Sequence, residues 1–252
     1  MTHPTLLHRA RVLAQRFGID ITRHPSDRTG DHLVRLLDRF EIDTVLDAGA
    51  HTGGYGTLLR GSGFTGRIVS FEPLTAARAQ LHRAAEEDPY WTVLPYALGD
   101  TSGTIELNVA GNAGASSSAL PMLPRHRAAA PGSAYTGRQK AEVRRLDELW
   151  EEITAPGERV FLKLDVQGYE GHVLRGAGDY LDEVVGLQTE TSFVPLYEGG
   201  PLFDEALGHA QRELGMSVMS MVPGFTDPDS GQMLQCDLVL FKQSDAREAA
   251  LV

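Results

Sequence analysis

The chain of 252 residues has one cysteine, Cys236. No internal disulfide can form, which fits a reducing compartment. Within LQCDLVLF the thiol reads as a small packed hydrophobe and not as a nucleophile. No apolar run reaches the length of a membrane span. The first residues lack a hydrophobic signal core, because LLHRARVL is broken by charge. A cytoplasmic protein without stable membrane insertion is expected. Basic residues are scarce as well: 23 Lys and Arg stand against 34 Asp and Glu, for a formal net charge of -11. Phosphate binding needs a basic surface. The most basic stretch, HRARVLAQR, reads as the solvated face of a helix, so no nucleic-acid partner is expected. Internal repeats are absent. So is the G-x-G-x-x-G spacing of dinucleotide-binding turns, since the only comparable stretch reads GAHTGG.

What is present is a regular alternation. Leu33, Leu36, Leu37 and Phe40 follow one helical face, and residues 1–40 read as a helical extension or lid. Residues 41–245 read as the main domain. Strand candidates are TVLDAG, RIVSFEP, WTVLPYALGD, TIELNVA, RVFLKLDV, VVGLQTETS, MSVMSMV and MLQCDLVLF, with helices near 54–61, 74–87, 168–177 and 202–213. Alternating strands and helices imply an α/β fold with a parallel sheet covered on both faces. The last two strands are joined by the turn-rich PGFTDPDSGQ and are most simply antiparallel neighbours. The fold class expected is therefore Rossmann-like, a mostly parallel seven-stranded sheet with one antiparallel strand. Residues 110–140, rich in Gly, Ala, Ser and Pro, read as a variable loop over the carboxyl edge of the sheet, on the acceptor side.

Four segments carry chemistry. In VLDAGAHTGG the first strand ends at Asp47; Gly49 permits a tight turn and Gly53 a close backbone approach. A turn built for pyrophosphate should not present a carboxylate, whereas one built for an ammonium and a sulfonium can use it. S-adenosylmethionine is such a ligand. In SFEP, Glu72 ends the second strand, where an acceptor-only carboxylate suits two ribose hydroxyls. In YALGD, the backbone at Ala97 and Leu98, with Asp100, is placed to edge an adenine. In FLKLDVQGYEGHVLRGA, Phe161, Lys163 and Asp165 share one strand face, so Asp165 reaches the carboxyl edge beside the expected methyl-transfer point. Lys163 is a partner for Asp165 or a member of a structural ion pair. Glu190, in QTETS, is a candidate acceptor-side carboxylate. His51 and His172 are candidate bases, and His126 in the variable loop a weaker one.

With Asp47-x-Gly49, SFEP, YALGD, the serines at 116–118 and FLKLDVQGYE in this order, the chain resembles the FkbM-type methyltransferases over roughly residues 40–242. The resemblance implies a class I Rossmann-like fold, S-adenosylmethionine as donor and, usually, O-methylation. It implies hydroxyl acceptors on sugars, glycolipids or polyketide-type natural products. Carried onto this chain, Asp47, Gly49, Ala50, His51, Thr52 and Gly53 form the donor turn. Glu72 and Pro73 take the ribose, Ala97, Leu98 and Asp100 the adenine, and Asp165 the junction of donor and acceptor.

An acceptor oxygen would attack the sulfonium methyl in line, helped mainly by positioning. Asp165, Glu190 or His51 would take its proton. A divalent metal between Asp165 and Glu190 is a further, less favoured arrangement. Two readings compete with the methyltransferase. An NAD(P)-dependent oxidoreductase should show G-x-G-x-x-G and no acid at position 47. An inert donor-binding module should have lost some of the acids at 47, 72 and 165.

Overall fold

The computed structural model describes residues 29–242; the rest of the expected N-terminal extension, residues 1–28, lies outside that range. In chain order the elements are α1 (Thr29–Arg39), β1 (Thr44–Ala48), α2 (Gly54–Gly61), β2 (Arg67–Phe71), α3 (Thr75–Ala85), β3 (Trp91–Leu94), β4 (Ala97–Leu98), β5 (Gly103–Ala110), α4 (Pro124–Ala129), β6 (Tyr135–Arg144), α5 (Leu146–Ile153), β7 (Val160–Leu164), α6 (Glu170–Ala177), β8 (Val184–Ser192), α7 (Phe203–Arg212), β9 (Met216–Pro223) and β10 (Gln235–Lys242). A seven-stranded sheet runs β3-β2-β1-β7-β8-β10-β9. All its neighbours pair in parallel except β10, which is antiparallel to both β8 and β9.

Strands β1 and β7 are buried at every position, as central strands covered on both faces must be. Side-chain alternation sorts their residues into two cores. Val45, Ile68, Phe161 and Phe241 pack under α1, α2 and α3 with Leu37, Leu59 and Leu81. Phe40, just beyond α1, stacks on Phe241 with ring centroids 4.1 Å apart. On the other face Leu46, Val69, Leu162 and Leu240 meet α5, α6 and α7 through Trp150, Val173 and Ala210.

Two expectations change. WTVLPYALGD is not one strand: Pro95 has no N–H for the ladder, and the segment splits into β3 and β4, which belong to different sheets. The second half of the stretch 110–140 is not irregular. It contains α4, and from Tyr135 it enters the ten-residue β6, antiparallel to β5 from Gly103↔Val143 to Ala110↔Tyr135. Most of β6 is solvent-facing, so YTGRQKAEVR carries almost no alternating hydrophobic signal. Strands β4, β6 and β5 form a small sheet of their own. It stands over the carboxyl edge of the main sheet.

A small core of Met122, Leu196, Tyr197 and Leu234 pins α4. His126 is only 2% exposed there, its ring against Tyr197 and Phe225. Its Nδ1 has no hydrogen-bond partner among the described residues. Burial lowers its pKa to about 4, so the folded protein holds it neutral. The unfolded chain, at the ordinary value of 6.5, binds the proton first. Stability should therefore fall as pH drops from about 6.5 and level off near pH 4, by at most about 3 kcal/mol at about 1.4 kcal/mol per pH unit. His126→Phe should remove this loss from urea-unfolding curves taken between those limits. Parallel pH profiles for the two proteins would show that His126 plays no such part.

Candidate functional site

The site grows from the turn after β1. Gly49 has φ +79°, and a Cβ there would lie 1.9 Å from the backbone oxygen of Asp165. Glycine is required because the tips of β1 and β7 almost touch, with Asp165 N donating to Ala48 O at 3.1 Å. Both Gly49 N and Ala50 N donate to Phe71 O at 3.1 Å, tying the turn to β2. His51 adopts φ 48°, a left-handed conformation that a non-glycine residue adopts only when held there. Two bonds hold it. His51 N donates to Glu72 Oε2 at 2.8 Å, and the ring Nε2 meets Ala113 O at 3.0 Å.

Glu72 is fixed from both sides, since its Oε1 also accepts Leu74 N at 2.7 Å. Each oxygen keeps a second lone pair. The residue is 4% exposed, and burial lifts its pKa to about 7 against the pull of the two backbone N–H donors.

Around this acid opens a cleft of about 850 Å³ between the sheet tips and the small sheet. Its polar groups include Glu72, His51 and Asp165; its apolar walls include Leu74, Leu98, Leu107 and Tyr169. Of the residues expected at the donor site, Gly49, His51, Glu72, Pro73, Ala97, Leu98 and Asp165 line this cleft. Serines 117 and 118 close it from above. Ser118 Oγ donates to Gln167 O at 2.7 Å and so anchors the 110–120 segment over the edge.

The other expected residues lie elsewhere. Asp47 is opposite Lys163 in register and fully buried. Lys163 Nζ sits 3.0 Å from Asp47 Oδ1, and Ser70 Oγ donates to Oδ2 at 3.1 Å. The cation that Asp47 meets is thus Lys163, on the helix-covered face, rather than one presented in the cleft. Lys163 contacts Asp165 only at 3.6 Å, so its main partner is Asp47. Burial alone would lower the lysine's pKa, but Asp47 and then Asp165 reverse this and hold it well above the ordinary value. Gly53 packs against α3, where a Cβ would meet Leu81 at 3.0 Å and Ala84 at 3.2 Å. Ala50 is buried, and neither it nor Thr52 lines the cleft. Asp100 Oδ2 takes His172 Nδ1 at 2.9 Å and the Arg175 guanidinium at 3.0 Å. It clamps the β4 turn to α6, outside the cleft that Ala97 and Leu98 line.

Glu190 lies behind Gln167. The Gln167 amide donates to Asp165 Oδ1 at 2.7 Å and to Glu190 Oε2 at 2.9 Å, while its oxygen accepts the Tyr197 hydroxyl at 2.5 Å. Gln235 donates to the same Glu190 oxygen at 2.7 Å. Burial, then Asp165, Glu170 and Asp237, push Glu190 well above the carboxylate range, toward its protonated form. The sequence reading passed over Gln167, Glu170 and Tyr197. Gln167 has φ 55°, a strained position that all three of its side-chain bonds fix. Glu170 accepts Val166 N at 3.0 Å and Gly168 N at 3.2 Å, which sets the loop carrying Asp165. The QGYE string held the first two; Tyr197 lies 30 positions from Gln167 and gave no local signal.

The model of the Methyltransferase FkbM domain matches residues 47–215. The chain belongs to the FkbM methyltransferase family. No curated protein matches it. Among solved structures, fibrillarin from Aeropyrum pernix, in complex with natively bound S-adenosyl-L-methionine, is similar at 10% identity. The similarity covers 79% of this chain and 66% of that one, with a TM-score of 0.43. An rRNA methylase from Streptococcus thermophilus is similar at 11% identity over 96% of this chain and 99% of that one, TM-score 0.42. Membership of a methyltransferase family sets the oxidoreductase alternative aside. Among the described residues no helix is long and apolar enough to cross a membrane.

Proposed function

We propose that this FkbM-family protein is an S-adenosylmethionine-dependent O-methyltransferase acting on a hydroxyl of a small sugar, glycolipid or polyketide-type molecule. The observation that carries the donor assignment is Glu72, a buried carboxylate aimed into the cleft with both oxygens pre-positioned by backbone N–H groups. Two ribose hydroxyls would donate to the lone pairs that remain. The apolar wall of Leu98, Leu107 and Tyr169 suits a flat purine. Asp165, 40% exposed at its side chain, is the carboxylate available to the acceptor hydroxyl. The acidic balance of the chain favours a small acceptor over a polyanion.

Calorimetric titration with S-adenosylhomocysteine tests this reading. Micromolar binding is expected, weakened about 100-fold in Glu72→Ala, since two hydrogen bonds to a charged group contribute about 1.5 kcal/mol each. The ligand needs the ionised acid, and the free acid titrates near pH 7. Affinity should therefore rise up to about tenfold per pH unit below 7 and flatten above it. Folded protein that does not bind the product would remove the methyltransferase assignment.

A further inference from the structure

We infer that Gln167 is a positioning residue for the acceptor base: its amide stands between Asp165 and Glu190, gives each carboxyl one N–H, and so keeps Asp165 a separate proton acceptor at the Glu72 cleft. That Asp165 is the base rests on the reading above; the spacing of the two acids does not. Strand register alone brings them together. Leu164, the last residue of β7, pairs with Thr189 of β8, so Asp165 and Glu190 are the next residues on adjacent parallel strands. Such strands lie about 4.8 Å apart. Two carboxyl groups at that range titrate as a pair and share a proton when nothing intervenes. Here Gln167 intervenes. Its Nε2 lies 2.7 Å from Asp165 Oδ1 and 2.9 Å from Glu190 Oε2, so the two hydrogens of a single NH2 group go one to each acid.

Tyr197 sets the direction of that amide. Turned the other way, the amide would press its carbonyl oxygen against both acids. The Tyr197 hydroxyl donates to Gln167 Oε1 at 2.5 Å and holds the oxygen on the far side. Tyr197 is buried beside Met122, Leu196 and Leu234. Burial, then Glu190, raise its pKa, so the hydroxyl keeps the proton it donates. Gln167 itself is 8% exposed and lines the Glu72 cleft, at the same edge as Asp165.

The proton that burial and the surrounding acids favour on Glu190 has its own place. Glu190 Oε2 accepts the Gln235 amide at 2.7 Å as well as the Gln167 amide. Both lone pairs of Oε2 are then used, and the proton is left to Oε1, not to the space between the acids. Glu190 also lines a small pocket of about 260 Å³ with Glu170, Ser192 and Gln235, apart from the Glu72 cleft. The other charged groups that act on the pair are Lys163 from β7, Glu170 from the first turn of α6 and Asp237 from β10. Lys163 meets Asp165 at Oδ2, the oxygen that Gln167 does not use. Glu170 accepts the Val166 and Gly168 N–H groups, and Asp237 the Gln188 amide.

Carbon NMR of the full chain, isotope-labelled at the Asp and Glu side-chain carboxyls and titrated with pH, tests this without an acceptor. Spectra of Asp165→Asn and Glu190→Gln assign the two resonances. In wild type each carbon should take most of its shift in one step of its own. Gln167→Met keeps the length and loses both N–H donors. Both carbons should then move together in two steps, at least about one pH unit apart, the mark of a shared proton. A glutamine that only stabilised the loop would leave the steps separate when replaced. Gln167→Asn keeps an amide and tolerates the left-handed backbone, but it is one methylene short of reaching both acids. It should give the same two-step pattern, and it decides the matter if the methionine variant does not fold. S-adenosylhomocysteine affinity, measured by calorimetry on the same proteins, should stay within about threefold. Wild-type carbons that already move together in both steps would overturn the proposal. So would separate steps in folded Gln167→Met or, failing that, in Gln167→Asn. A wild type that binds no product while titrating as expected would bring down the donor reading and leave the spacer in place.

Discussion

Replacing Lys163 by methionine should destabilise the protein by about 3–5 kcal/mol, the cost of leaving one charge of a buried pair alone. Asp47 is fully buried, and beyond Lys163 the one hydrogen-bond partner of its side chain among the described residues is Ser70 Oγ, whose own oxygen accepts the Trp91 indole N–H at 3.0 Å. Without the ammonium, a carboxylate would sit between β2 and β7 with one neutral donor. Removing both partners together, Lys163→Met with Asp47→Leu, should recover most of the loss, because a well-packed apolar pair of similar volume is often neutral relative to an ion pair. Urea-unfolding midpoints at constant m-value would measure both changes. A single variant within about 1 kcal/mol of wild type would mean that water reaches Asp47. The same pair matters for the site, since Lys163 also holds Gly49 O at 3.0 Å, and through it the turn that faces the Glu72 cleft.

This pair also shows where the sequence stopped being legible. The strand tips were readable because each is a short, largely apolar run ending in an acid, a pattern contained in ten residues. VLDAG, SFEP and FLKLDVQGYE therefore located the carboxyl edge, and Gly49 and Glu72 line the cleft found there. The partner of Asp47 was a different matter. It depends on the β1–β7 register, Asp47↔Lys163, which joins positions 116 apart. Asp100 shows the same limit: its place in YALGD suggests adenine, whereas the partners of its carboxylate, His172 and Arg175, lie 72 and 75 positions away. Strand β6 was missed because it faces solvent along most of its length and carries little periodicity. The hydrogen-bonded line Tyr55–Gln188–Asp237 spans three elements and exists only once the sheet order is known.

Asp165→Asn is expected to lower methyl transfer about 10³-fold, within the range set by general-base catalysis, while S-adenosylhomocysteine affinity changes by less than about threefold. The sulfonium is a ready electrophile. In O-methyl transfer its S–CH3 bond would break with the electron pair returning to sulfur, and the new bond would come from a lone pair of the acceptor oxygen. The oxygen's proton must then leave to a nearby base. Three candidates stand near the edge, and their surroundings rank them. His51 Nε2 is committed to Ala113 O. Glu190 is pushed toward its protonated form by burial and by the surrounding acids. Asp165 is the more open carboxylate, held in place by Gln167 and Lys163 without being enclosed. Asparagine preserves its size, and its oxygen still accepts from Gln167, so the loop set by Glu170 should survive the change. Glu190→Gln should cost far less, about tenfold, since a group already near neutrality loses little on becoming an amide. Single-turnover transfer of a labelled methyl group to the acceptor that wild type modifies measures both variants. If Glu190→Gln proved the more damaging, the proton would pass to the deeper acid, and Asp165 would be a positioning group instead of the base.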